Sequence, residues 1–192
     1  MRARVLLLTC LMLGACDKPA EQRTVAENEA AQVEAVKTLS GWDRVFASPL
    51  ETVGSINQAG FGLPSYGPAG PAGVYGAQGI DRLMSRSTAP SPNMGTAAVA
   101  GSAPDRLDQV TYALKLNDPA DAAAARERLA QTVGEFLLRA KIAGGEPVLA
   151  AVREGRSDRP VVDGLPVSVT ATPARIDVTF LRPAANRRAA NS

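Results

Sequence analysis

The feature that most constrains this chain is a run of glycine and proline through its middle. "GFGLPSYGPAGPAGVYGAQG" at 60–79 and "STAPSPNMGTAAVAGSAP" at 87–104 carry few charges and few large apolar side chains. Proline lacks the ladder donor, and glycine loses the most conformational freedom on ordering, so such a segment resists helix and sheet alike. Composition of this kind buries too little apolar surface to offset chain entropy, and residues 48–104 therefore read as a disordered Gly/Pro-rich linker. As a flexible coil it would span roughly 40 Å r.m.s.. Folded structure is then expected in 105–183, with 16–47 before the linker and a disordered tail at 184–192.

Within 105–183 the periodicities are clear. "QVTYALKL" places Val110, Tyr112, Leu114 and Leu116 on one face and polar or small residues on the other, the pattern of a half-buried strand. Asn117-Asp118-Pro119 then predicts a helix start, with Asp118 as N-cap, Pro119 where its missing N–H is harmless and Asp121 at the positive end. Ala122, Ala125, Leu129, Val133, Phe136, Leu137 and Ala140 form one face of a helix running to about Ala143. Gly134 within it marks either close packing or a bend. "EPVLAAVREG" reads as a second, short helix. "LPVSVTATPARIDVTFLRP" reads as a hairpin, with Val167, Val169 and Ala171 facing the core beside Ile176, Val178 and Phe180. The predicted fold class is α+β: a small three-stranded sheet with one long and one short helix, in the order β-α-α-β-β. A unit of roughly eighty residues buries only about 60–65% of its unfolded surface. Its element order is similar to that of the polypeptide-transport-associated domains of envelope assembly proteins. Before the linker, Val25, Val33, Val36, Leu39 and Phe46 share one stripe and predict an N-terminal amphipathic helix from Glu21 to about Phe46, with Trp42 available to a partner.

The extreme N-terminus reads "MRARVLLLTCLMLGACDKPA". Arg2 and Arg4 precede an uncharged run from Val5 to Leu13, about half the length that crosses a bilayer. Leu13, Gly14, Ala15 and Cys16 then resemble the lipobox of bacterial lipoproteins. The resemblance implies cleavage of a signal peptide, residues 1–15, a diacylglyceryl group on the Cys16 thiol and acylation of the new amine. Two or more acyl chains, at ~0.8 kcal/mol per buried CH₂, hold a protein on a membrane where one does so only marginally. The implied location is the cell envelope, facing the periplasm; Asp17 fits inner-membrane retention, and the outer membrane stays open. A second resemblance is local. Gly67, Gly70, Gly73, Gly76 and Gly79 keep the three-residue spacing of collagen, where only glycine fits the axis. Four triplets read more simply as an extended spacer.

Composition removes whole function classes. The chain has 21 basic and 19 acidic residues; losing Arg2 and Arg4 with the signal leaves 19 of each, a poor balance for nucleic-acid binding. There is no histidine, which excludes Ser-His-Asp and Cys-His catalysis and histidine-held zinc or haem. Of the two cysteines, Cys10 leaves with the signal and Cys16 is the anchor, so no internal disulfide forms. No catalytic residue, metal or cofactor is expected. A carboxylate enzyme would require two of Asp158, Asp163 and Asp177 to converge, and a non-enzymatic role is the expectation. The function expected is a membrane-anchored adaptor in the cell envelope, accessory to a secretion, conjugation or pilus assembly, docking an envelope protein on a free sheet edge. The alternative is a lipoprotein binding a small anionic ligand or cell-wall component at Arg153, Arg156 and Arg159, with Glu154 and Asp158 interleaved.

Overall fold

The computed structural model describes residues 34, 38–71, 73–86 and 88–183. From Gly41 onward the described residues form two short helices, α1 (Gly41–Ala47) and α2 (Pro49–Gln58). Five strands follow: β1 (Gly67–Pro68), β2 (Tyr75–Gln78), β3 (Arg82–Leu83), β4 (Met94–Gly101) and β5 (Gln109–Lys115). A 3₁₀ turn at Pro119–Asp121 leads into α3 (Ala122–Arg139), then α4 (Glu146–Glu154). The chain closes with β6 (Val161–Val162), β7 (Leu165–Thr172) and β8 (Arg175–Leu181). All pairings are antiparallel, in the order β1-β2-β4-β5-β8-β7-β6, with β3 also on β4.

This corrects the expected fold. The sheet has eight strands rather than three, and the segment read as a disordered linker supplies α2 and β1 to β4. The similarity of element order to polypeptide-transport-associated domains goes with it. The physical reason lies in how small side chains pack. In β4, Gly95, Ala97 and Val99 turn inward beside Leu114, Tyr112 and Val110 of β5. Each contributes little area, but their size lets the rest of the former linker close over them: Phe61, Leu63 and Met84 are all buried. Asn93 is buried too and makes a two-way bond with Asp118, its amide donating to the Asp118 carbonyl at 3.0 Å and accepting from the Asp118 N–H at 2.9 Å. A polar side chain so satisfied is not costly to bury.

The glycine triplets serve the sheet, not a spacer. Gly67 pairs with Gly76 across the β1–β2 hairpin, and Gly79 donates its N–H to the Ala97 carbonyl. A Cβ at Gly79 would sit 2.6 Å from the Phe61 carbonyl oxygen and 3.1 Å from that of Ala97. Neither backbone has room to withdraw. Gly79→Ala is therefore expected to cost about 1–3 kcal/mol by overpacking, read as a lower urea midpoint with an unchanged slope.

The second half follows its periodicity. Val167, Val169 and Ala171 stand opposite Phe180, Val178 and Ile176, the hairpin read from alternation. The Asp118 carboxylate caps the 3₁₀ turn by accepting from Ala120 N–H at 3.1 Å. Asp121 precedes α3 but makes no side-chain cap bond. Gly134 is a close-packing position, since a Cβ there would meet Leu149 of α4 at 3.3 Å.

Aromatic rings string the core together. Phe46 stacks on Trp42, Trp42 lies 5.1 Å from Phe180, and Phe180 lies 5.7 Å from Phe136. Phe136 meets Tyr112 edge-on at 5.6 Å, and Tyr112 meets Phe61 in the same way at 5.6 Å. One chain of contacts thus ties α1, the sheet, α3 and the former linker into a single core, each pair adding about 0.5–1.5 kcal/mol beyond area burial. Trp42 is buried in it, and its Nε1–H donates to the Val162 carbonyl at 2.8 Å. That corrects its reading as a partner-facing residue. The helix expected over 21–46 falls largely outside the described residues; α1 begins only at Gly41.

Neither sheet edge offers a long free strand, since the terminal strands β1 and β6 have two residues each. Along β7, Val167 donates to the Pro160 carbonyl, Val169 exchanges bonds with Asp158, and Ala171 donates to the Ser157 hydroxyl. At the other side β1 is two residues long and contains Pro68. Short, proline-bearing or covered edges do not template another strand. Tyr66 pins this side down, its hydroxyl lying 2.9 Å from the Arg106 carbonyl and 3.0 Å from that of Ala103. Burial, with help from the nearby Asp108 charge, pushes its phenol up to about 12.

Candidate functional site

Arg153, Arg156 and Arg159 do not converge. Arg153, on the last turn of α4, reaches across to Glu127 of α3 at 3.0 Å and lies 3.9 Å from Glu146. Arg156 sits between Glu154 at 2.9 Å and Asp158 at 2.7 Å. Those two hydrogen bonds raise the guanidinium above its ordinary value, and the same bond from Arg156 holds Asp158 below its own. Arg159 is exposed, and its backbone N–H donates to the Asp158 carboxylate. Arg153 and Arg156 are thus already paired, and they do not gather with Arg159 into one site. The carboxylates are also dispersed: Asp177 on β8 is held by Arg175 at 2.7 Å, and Asp163 lies in the β6–β7 turn. Leu13, Gly14, Ala15 and Cys16 lie outside the described residues.

A different place gathers charge and apolar surface together. Under α1, lined by Leu39 and Ser40 near one end of the described residues and by Arg182 and Pro183 at the other, lies a cavity of about 590 Å³. Its size falls in the range of small-molecule sites, roughly 300–1,000 Å³. Trp42, Phe46 and Leu165 supply an apolar lining; Arg106, Lys141 and Arg182 supply positive charge; Asp43 and Asp163 supply negative charge.

Local structure puts each of these there. Arg106 occupies the turn between β4 and β5, held because Leu107 donates its N–H to the Phe46 carbonyl at 2.7 Å. Arg182 follows β8, with its N–H on the Asp108 carbonyl at 2.9 Å. Lys141 closes α3 with φ of 58°. Asp163 begins the two-residue Asp163-Gly164 turn with φ of 46°, as the hairpin turn joining paired Val162 and Leu165 requires. Among the described residues these are the two non-glycine positions with positive φ, and both line this cavity. Left-handed conformation in side-chain-bearing residues clusters at functional sites.

The most buried charge of the lining is cationic. Arg182 is 7% exposed and Arg106 is half-buried, whereas Lys141, Asp43 and Asp163 are exposed. Arg182 uses one nitrogen, Nη2, on Asp108 Oδ1 at 2.6 Å. The Nε atoms of Arg182 and Arg106 are buried with no acceptor among the described residues. Each buried N–H left in that state costs about 1–3 kcal/mol.

Sequence reading missed this site because its residues come from five separate segments. The one local signal was Asp163-Gly164, a strong hairpin dipeptide between Val162 and Leu165. Among the described residues, no group of three or more Cys, Asp or Glu is placed to hold a metal ion, and no helix is long and apolar enough to cross a membrane. No family model, curated protein or solved structure matches the chain.

Proposed function

We propose that this protein is a lipid-anchored, non-catalytic interaction module of the bacterial cell envelope, held at the inner or outer membrane and facing the periplasm. The observation that carries the reading is Leu13-Gly14-Ala15-Cys16 behind Arg2, Arg4 and a short apolar run. The fold supports it in two ways. The acids that would serve carboxylate chemistry are occupied, Asp158 by Arg156 and Asp177 by Arg175. The short edge strands favour surface recognition over strand addition as the way to engage a partner, and the cavity at α1 is a concave surface of mixed chemistry.

The test is metabolic labelling with a fatty-acid analogue, followed by membrane sedimentation. The wild-type chain incorporates label and pellets with membranes; Cys16→Ser loses both, because without the acyl chains the partition energy falls by roughly 0.8 kcal/mol for each CH₂ no longer buried. Equal labelling of the variant would end the reading. Crosslinking in the native cell then identifies the envelope partner, and recovery of this chain alone would count against an adaptor role.

A further inference from the structure

The cavity under α1 combines two features that an interaction module does not by itself need. Its most buried charge is positive and incompletely used, and the same cavity has an aromatic and aliphatic wall. A guanidinium carries five N–H donors in a fixed fork, yet Arg182 directs one nitrogen to Asp108, and neither Arg106 nor Lys141 has a carboxylate within ion-pair distance among the described residues. The two aspartates of the lining are exposed, so they sit in water, where their field is screened, while Arg182 is 7% exposed. Planar, multiply donating cations in the wall of a cavity suit a carboxylate or phosphate. Trp42, Phe46 and Leu165 suit a short hydrocarbon.

We propose that this cavity binds a small amphipathic acid: an anionic head, carboxylate or phosphate, beside Arg106 and Arg182 with Lys141 at the mouth, and an apolar body along Trp42, Phe46 and Leu165. The assignment does not rest on the anchoring of the chain and survives its failure. Two sources offer such chemistry, a soluble short-chain acid and the headgroup region of an anionic lipid.

Isothermal titration of hexyl phosphate into the full chain tests it, with hexyltrimethylammonium and inorganic phosphate as controls. Hexyl phosphate binds; the ammonium does not; inorganic phosphate binds at least about tenfold more weakly, since loss of some six methylenes removes most of the apolar contribution. Arg106→Gln weakens hexyl phosphate about tenfold or more, the scale for one charge-assisted bond. Lys141→Gln, at an exposed position, weakens it severalfold and covers the case in which the first variant folds poorly. Raising salt weakens binding in every case. Vesicles of phosphatidylcholine containing phosphatidylglycerol separate the sources. Capture that depends on Arg106 assigns the lipid headgroup, and hexyl phosphate binding without such capture assigns a soluble acid. No heat with hexyl phosphate, equal affinity in both folded variants, or equal affinity for inorganic phosphate would overturn the proposal.

Discussion

Phe61→Ala is expected to cost this protein about 3–5 kcal/mol, the range for deleting a fully buried aromatic ring. Phe61 has no exposed surface, meets Tyr112 edge-on, and lies under the Arg82 guanidinium at 5.8 Å from the ring centre. Its carbonyl accepts the Ile80 N–H at 2.8 Å, so the ring and its backbone hold the covering segment against β2. Truncation would leave a void beneath that segment and remove one end of the aromatic chain through the core. Equilibrium urea unfolding followed by Trp42 fluorescence reads the loss as a lower midpoint. Phe136→Ala, in the unambiguous helix α3, is the yardstick, and the two should agree within about 1–2 kcal/mol given the spread among buried-ring deletions. A change under about 0.5 kcal/mol, the ordinary effect of a surface position, would return residues 60–79 to the status of a linker.

The same segment shows where a sequence is legible and where it is not. Strands β5, β7 and β8 announce themselves because their inward residues are Val, Leu, Ile, Tyr and Phe, so alternation in hydropathy and alternation in burial coincide. In β4 the inward residues are Gly95, Ala97 and Val99 and the outward ones Thr96, Ala98 and Ala100, so the contrast almost vanishes although the geometry is the same. Small inward residues carry information about how closely neighbours approach, and that becomes readable only when the neighbour, here Met84 or Tyr112, is known. Trp42 shows the matching error at long range: its indole N–H bonds to a carbonyl 120 residues away, which no local period can signal. The candidate site had less signal still. Arg153, Arg156 and Arg159 drew attention by adjacency, but adjacency also let Glu154 and Asp158 take Arg156, while Arg153 turns to Glu127 of α3. Arg106, Lys141 and Arg182 are spread over more than seventy positions and meet only through the sheet order, which sets β5 beside β8.

Asp108→Ala is expected to be the other costly change, at about 3 kcal/mol, because it strands a buried cation. The Asp108 carboxylate accepts from the Ser102 N–H at 2.8 Å and the Ser102 hydroxyl at 2.7 Å, and lies 2.6 Å from Arg182. Burial works to raise its pKa; the Ser102 bonds and the Arg182 charge together outweigh that and leave it below its ordinary value. A carboxyl lowered by folding contributes stability above its unfolded pKa, about 4, and the contribution is lost as pH falls through the lower folded value. The wild-type protein should therefore lose this increment only below about pH 4. Asp108→Asn keeps the shape but not the charge, so it should be less stable than wild type at pH 7 and should lose less on going to pH 3. Arg182 stays buried in both proteins, which makes the difference between the two acid slopes a measure of the carboxylate itself. Urea midpoints at pH 7, 5, 4 and 3 give that difference, and parallel curves for wild type and Asp108→Asn would mean that Arg182 draws its stabilisation from another group.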